Sequence, residues 1–185
     1  MTRLENDLCR IEIAVDESYP SGADFQSKYD TVINPNGLPP DDYSKAYSIG
    51  VTLRDRAYSV LLIGDCNCWD ANCAVIDDEL LTILQGWDIV QFNINTATVM
   101  QTVTLDTMAP NFEIYKVDSG YLIYGETEIT MLNGKLETLW SFSGRDIFVS
   151  ISGKTPFEIK ADRICLYDFE DNYYELDFNG NEIRA

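Results

Sequence analysis

The chain has no histidine anywhere in its 185 residues. This removes the side chain that most often acts as a general base near neutral pH, and the commonest nitrogen ligand for metals. Positive charge is also scarce, with 13 Lys and Arg against 31 Asp and Glu, for a net charge of −18. Such a field repels nucleic acid and anionic membrane and attracts basic partners. No basic run offers a local exception, so direct nucleic-acid binding is disfavoured. Long apolar runs are missing too, stretches such as Val60 to Ile63 being far too short to span a bilayer. The opening MTRLENDLCRIEIAVDE has no apolar h-region, so a soluble, cytoplasmic protein is expected.

Catalytic signatures are absent as well. There is no G-x-S-x-G, no Walker loop and no G-x-G-x-x-G, and a Ser or Cys nucleophile would have no His to take its proton. The expectation is a protein that is not an enzyme and needs no cofactor. A carboxylate-based hydrolase stays as a third reading, because two acids across a cleft suffice for glycoside hydrolysis. Its raw material is Asp41-Asp42, Asp77-Asp78-Glu79, Glu126 with Glu128, and Asp168, Glu170 and Asp171. Calcium is a weaker option, since neither DFEDNYYELD nor DCNCWDAN has the EF-hand spacing or its central glycine.

Five cysteines, an odd number, read as thiols in a reducing compartment rather than a disulfide framework. The densest group, Cys66, Cys68 and Cys73 in DCNCWDANC, is spaced C-x-C-x4-C and could hold zinc with Cys9 or Cys165 as a fourth ligand. Structural zinc sites usually pair two C-x2-4-C knuckles. The favoured reading is therefore small buried thiols, with no metal.

What the chain does have is core material: 45% hydrophobic residues, with 11 Tyr, 8 Phe and 3 Trp. This composition argues against disorder and suits one β-rich domain over residues 1–185. Period-two alternation predicts half-buried strands over Trp87 to Asn95 and Thr98 to Leu105, around Phe112 and Ile114, at Ile129 with Met131, and through Tyr174, Leu176 and Phe178. Arg10 to Val15 alternates in the same way, and Tyr47 to Leu53 with Tyr58 to Ile63 read as a strand pair around Arg54-Asp55. Asn133-Gly134 and Asn179-Gly180 read as hairpin turns with both central residues at positive φ, and Asp118-Ser119-Gly120 as a third hairpin. Residues 16–45 hold four of the six prolines and predict a long irregular connection, with a short helix near Asp24 to Thr31. The fold class is all-β, antiparallel meander or hairpin repeats with few or no helices.

A repeat lies within residues 80–185. QFNINTATVM, TMLNGKLETLW and ELDFNGNEI share an apolar residue, then Asn or Asp, then a turn and a strand. Their anchors, Asn93, Asn133 and Asp177, stand 40 and then 44 residues apart, and each unit is preceded by a further strand. This period is that of four-stranded propeller blades. The segments resemble quinoprotein-type blades, in which a Leu-Asp pair is followed by a Gly-Lys turn and a Trp; Lys135 and Trp140 stand at those positions in the middle segment. The resemblance implies an incomplete propeller, with a sandwich of meanders as the alternative.

In general character (small, acidic, β-rich, without catalytic apparatus) the chain also resembles bacterial toxin-immunity proteins. That resemblance implies an inhibitor that neutralises a basic toxin, a nuclease for instance, by surface electrostatics. The residues expected at such a partner surface are Asp65, Trp69, Asp70, Asp77, Asp78 and Glu79, because an aromatic set among acids makes a good anchor for a basic protein. The alternative is a structural or ligand-binding β-domain with recognition carried by residues 16–45.

Overall fold

A computed structural model describes residues 1–20, 25–41, 44–66 and 72–184. The chain divides into two compact units, Met1–Leu105 and Asp106–Ala185. The described residues form seventeen strands and one four-residue helix, an all-β chain.

The first unit holds two sheets. One is built from β1 (Thr2–Glu5), β2 (Cys9–Val15), β3 (Thr31–Ile33), β4 (Ala46–Leu53) and β5 (Ala57–Ile63), in the order β1-β2-β4-β5-β3. Its alternation is legible in β2, where Cys9, Ile11 and Ile13 point into the core and Arg10 and Glu12 point out. The outward face carries an ion pair, Arg3 Nε to Glu12 Oε1 at 3.1 Å. The second sheet is a meander of β6 (Ala74–Asp77), β7 (Leu80–Gln85), β8 (Asp88–Asn93) and β9 (Thr98–Thr104) in sequential order. Tyr47, Ile49, Leu62, Leu81, Ile83 and Phe92 join the two sheets in one core.

The connection after β2 is more ordered than its prolines suggest. It contains α1 (Phe25–Lys28) and β3, which pairs parallel with β5 through Thr31↔Val60, Val32↔Leu61 and Ile33↔Leu62. It covers the back of the first sheet with Tyr19 and Tyr29 against Ala46, Leu61 and Ile63. Asp16 fastens it. The buried carboxylate accepts from Ser18 Oγ (2.6 Å) and N (3.0 Å), Tyr29 OH (2.7 Å) and Lys28 Nζ (3.1 Å).

The second unit contains two four-stranded meanders. One comprises β10 (Asn111–Val117), β11 (Gly120–Gly125), β12 (Ile129–Leu132) and β13 (Thr138–Phe142). The other comprises β14 (Phe157–Ile159), β15 (Ile164–Tyr167), β16 (Tyr173–Leu176) and β17 (Glu182–Arg184). Their shared core is aromatic: Tyr124 stacks on Phe157 at 4.6 Å, and Phe148 meets Tyr174 edge-on at 6.2 Å. Phe148 arrives from a segment without strands and is held by Tyr124 OH donating to its carbonyl at 2.5 Å.

The sequence repeat is one hairpin used three times. Asn93, Asn133 and Asp177 stand at the turn between the third and fourth strands of successive meanders. Each side-chain oxygen accepts backbone N–H groups from within its turn: Asn95 and Thr96, Lys135 and Glu137, Asn179 and Asn181. Asx capping of this kind satisfies turn amides that no strand reaches. The Asn-Gly pairs are therefore not two-residue turns with both φ positive. In the longer turns the left-handed residue is Leu136 (φ 61°) after Asn133 and Gly180 (φ 81°) after Asp177. The Asp118-Ser119 hairpin joins β10 to β11 as expected.

The fourth strand of each meander then carries a bulge opposite a register shift, leaving Met100, Leu139 and Ile183 as the extra residues. All three are large and apolar, and they are 57%, 53% and 54% exposed. A second departure concerns burial. Alternation predicts half-buried strands, yet β7, β8, β11 and β12 are covered on both faces. The polar residues on their second face survive burial by pairing: Gln91 Nε2 donates to Thr82 Oγ1 at 3.2 Å, and Gln91 Oε1 accepts from Gln101 Nε2 at 2.9 Å.

Candidate functional site

The residues expected to share a partner surface do not gather in one place. Asp65 follows β5, where its Oδ1 accepts from Cys66 N at 2.9 Å and lies 3.4 Å from Lys45 Nζ. It lines an open cleft of about 270 Å³ with Leu38, Pro39, Asp41, Lys45 and Gly64. The β7–β8 turn stands beside it, since a Cβ on Gly86 would fall 2.8 Å from Asp65 Oδ2.

Asp77, Asp78 and Glu79 occupy the other end of the same meander. Asp77 closes β6 opposite Leu80, and Asp78 and Glu79 make the exposed β6–β7 turn. From Leu80 to Gln85 the strand rises roughly 17 Å, so the two acidic groups stand at opposite ends of the sheet. The turn is tied down by Asn6 Nδ2 donating to Asp78 O at 2.9 Å and Asn95 Nδ2 donating to Glu79 Oε2 at 2.7 Å. Arg54 donates to Asp7 O at this end and Arg56 to Asn95 O, so carboxylates and cations are interleaved there. Trp69, Asp70 and Cys68 lie outside the described residues.

The other two cysteines of the dense group are core residues. Cys66 and Cys73 are buried in the first unit's core, Cys66 Sγ donating to Gly64 O at 3.6 Å and Cys73 Sγ to Thr2 Oγ1 at 3.3 Å. Among the described residues no three Cys, Asp or Glu side chains converge as a metal site would require.

The acids with resolved shifts all move in one direction. Burial alone would raise Asp16, but the Ser18, Tyr29 and Lys28 donors outweigh it and hold the carboxyl at about 2. Asp168 is fully buried, which pushes it up, yet Asn172, Tyr174 and two backbone N–H groups bring it below its ordinary value. Asp177 is lowered by the Asn181 side chain and backbone, Asp30 by the Ser59 backbone and hydroxyl, and Asp162 by Arg163. A general acid working near neutral pH needs the opposite shift. These carboxylates act as turn and loop anchors.

Two features escape the motif-based reading. One is a cleft of about 390 Å³ on the second unit, where Tyr167 and Tyr173 lie 4.8 Å apart and Lys154 sits 4.6 Å above the Tyr167 ring. Its cations are already matched, Lys154 with Asp171 and Lys160 with Glu158, each at 3.4 Å. The other is charge segregation. No Lys or Arg occurs from Ala57 through Tyr115, a stretch holding eight acids and the entire β6–β9 meander. The run without Lys or Arg is itself the sequence signal for it.

No family model matches the chain, and no curated protein matches it. Among solved structures it is similar to the β-propeller BamB from Moraxella catarrhalis, with TM-score 0.51 and 13% identity over 78% of this chain and 46% of BamB. Hsv2 from Kluyvelomyces marxianus aligns with TM-score 0.44 and 7% identity over 74% of this chain and 45% of its own. The chain spans about half the length of either. The likeness to BamB is one of fold: meander sheets of the kind that propellers stack.

Proposed function

We propose that this chain is a non-catalytic binding protein that engages a basic protein partner through an acidic face of its first unit. The observation that carries the reading is the β6–β9 meander, which has no cation of its own while Asp77, Asp78, Glu79 and Asp88 stand at its two ends. Carboxylates at both ends of a meander with no cation of its own accelerate encounter with a basic partner. The narrower form of the proposal is inhibition of a basic toxin, with the meander's acids standing where a nuclease would meet phosphate.

The test is affinity capture from the source cell's lysate at low salt, with elution by a salt gradient and assay of whatever is retained. The expected result is one basic protein held stoichiometrically, released between about 50 and 200 mM salt, with its activity suppressed by this chain. Asp78→Lys with Glu79→Lys should weaken that retention. Equal retention by the reversed variant, or no basic protein retained, would count against the reading.

A further inference from the structure

We propose that the free edge of β9 is a docking strand for an extended basic segment of the partner, an inference that rests on the basic-partner reading above. β9 ends its sheet, and its seven residues, TVMQTVT, carry no charge, proline or glycine. Exposed edges are normally blunted by such residues. β10 equals β9 in length but bears Glu113 and Lys116, and β1 bears Arg3 and Glu5.

The register fixes which groups are open. Leu105 N donates to Trp87 O at 2.8 Å, and Thr104 stands opposite Asp88. Hydrogen-bonded pairs alternate along an antiparallel ladder, so Val103 and Gln101 direct their backbone groups at β8. The N–H and C=O of Thr102 and Thr104 therefore point away from the sheet. Among the described residues no backbone group pairs with them. Two such sites, one strand-repeat apart, are what an added antiparallel strand uses.

Charge selects the occupant. At one end of β9 the Thr104 hydroxyl donates to Asp88 Oδ1 at 2.6 Å; at the other, Glu79 accepts from Asn95 just before Thr98. Carboxylates at both ends of an uncharged strand, Glu79's end shared with Arg56 on Asn95 O, match a segment with basic residues flanking a β-forming centre. A second copy of this chain is the poorer fit. Edge-to-edge pairing would bring together two molecules of charge −18.

The test uses the whole protein and a fluorescent peptide with paired lysines flanking an alternating Thr-Val centre, beside a control of the same charge with prolines in that centre. The expected outcome is binding of the first peptide at low salt, with slowed amide exchange at Thr102 and Thr104. Thr102→Pro removes an N–H that makes no ladder bond, and should weaken binding about tenfold or more. Thr102→Lys keeps the N–H but sets a cation on the edge, and should weaken it as well, which guards against misfolding of the proline variant. Unchanged affinity in both variants, with those amides unprotected, would overturn the docking strand while leaving the basic-partner reading standing. Binding of neither peptide would overturn both. A dimer in sedimentation that Thr102→Pro abolishes would assign the edge to a second copy and overturn the basic occupant.

Discussion

Replacing Asp16 by Asn tests whether a single carboxylate anchors the connection between β2 and β4. Asp16 sits buried at the start of that connection, with four donor atoms from Ser18, Lys28 and Tyr29 on its two oxygens. Burial opposes the charge, yet the donors prevail and bring the carboxyl from 3.8 to about 2. At 1.36 kcal/mol for each tenfold change, that difference is worth about 2 kcal/mol. Because the folded value lies below the unfolded one, the contribution is complete above about pH 4. It fades as pH falls through about 2, and only below both values, near pH 1, do folded and unfolded chains bind the proton alike. Urea unfolding of wild type and Asp16→Asn, followed by circular dichroism at a series of pH values, reads this directly. The wild type should be more stable by about 2 kcal/mol at pH 7, and the gap should shrink below about pH 4 and close only below about pH 2. A gap that stays constant from neutral to acid pH would show that the variant disturbs packing rather than charge. No gap at pH 7 would refute the anchoring role.

Three further outcomes follow from the second unit. A Cβ on Gly120, at φ 146°, would fall 2.0 Å from the Leu132 carbonyl oxygen, so Gly120→Ala should destabilise the unit by more than about 3 kcal/mol. At Gly153, φ is 83° but nothing lies within 4 Å, and the same change should cost only about 1 kcal/mol in urea unfolding. Tyr174 OH donates to Asp168 Oδ2 at 2.7 Å and accepts from Arg145 N at 2.9 Å. Tyr174→Phe strips both bonds from a buried site and should cost about 1–3 kcal/mol in urea unfolding.

The sequence by itself determined the local grammar of this protein. Alternation in Arg10–Val15 and Asp88–Asn93 could only be strand, and Asn93, Asn133 and Asp177 marked three equivalent hairpins, because strand period and Asx turns are encoded within a few residues. Charge, too, was countable before any fold was known. Tertiary structure decided the rest. Tyr19 and Tyr29 became covering residues because Asp16 finds donors a dozen residues away, and β3 pairs with a strand nearly thirty residues later. The central meander strands are buried on both faces, which alternation cannot express, since it reports side-chain direction and not what lies beyond. Asp65 and Asp78 look like neighbours in the chain but cap opposite ends of one meander, because a strand carries its two ends apart by its own length. The open edge of β9 depends on which partner each strand finds. Hydrogen-bond partners are chosen by the packed sheet, not by the residues of one strand alone.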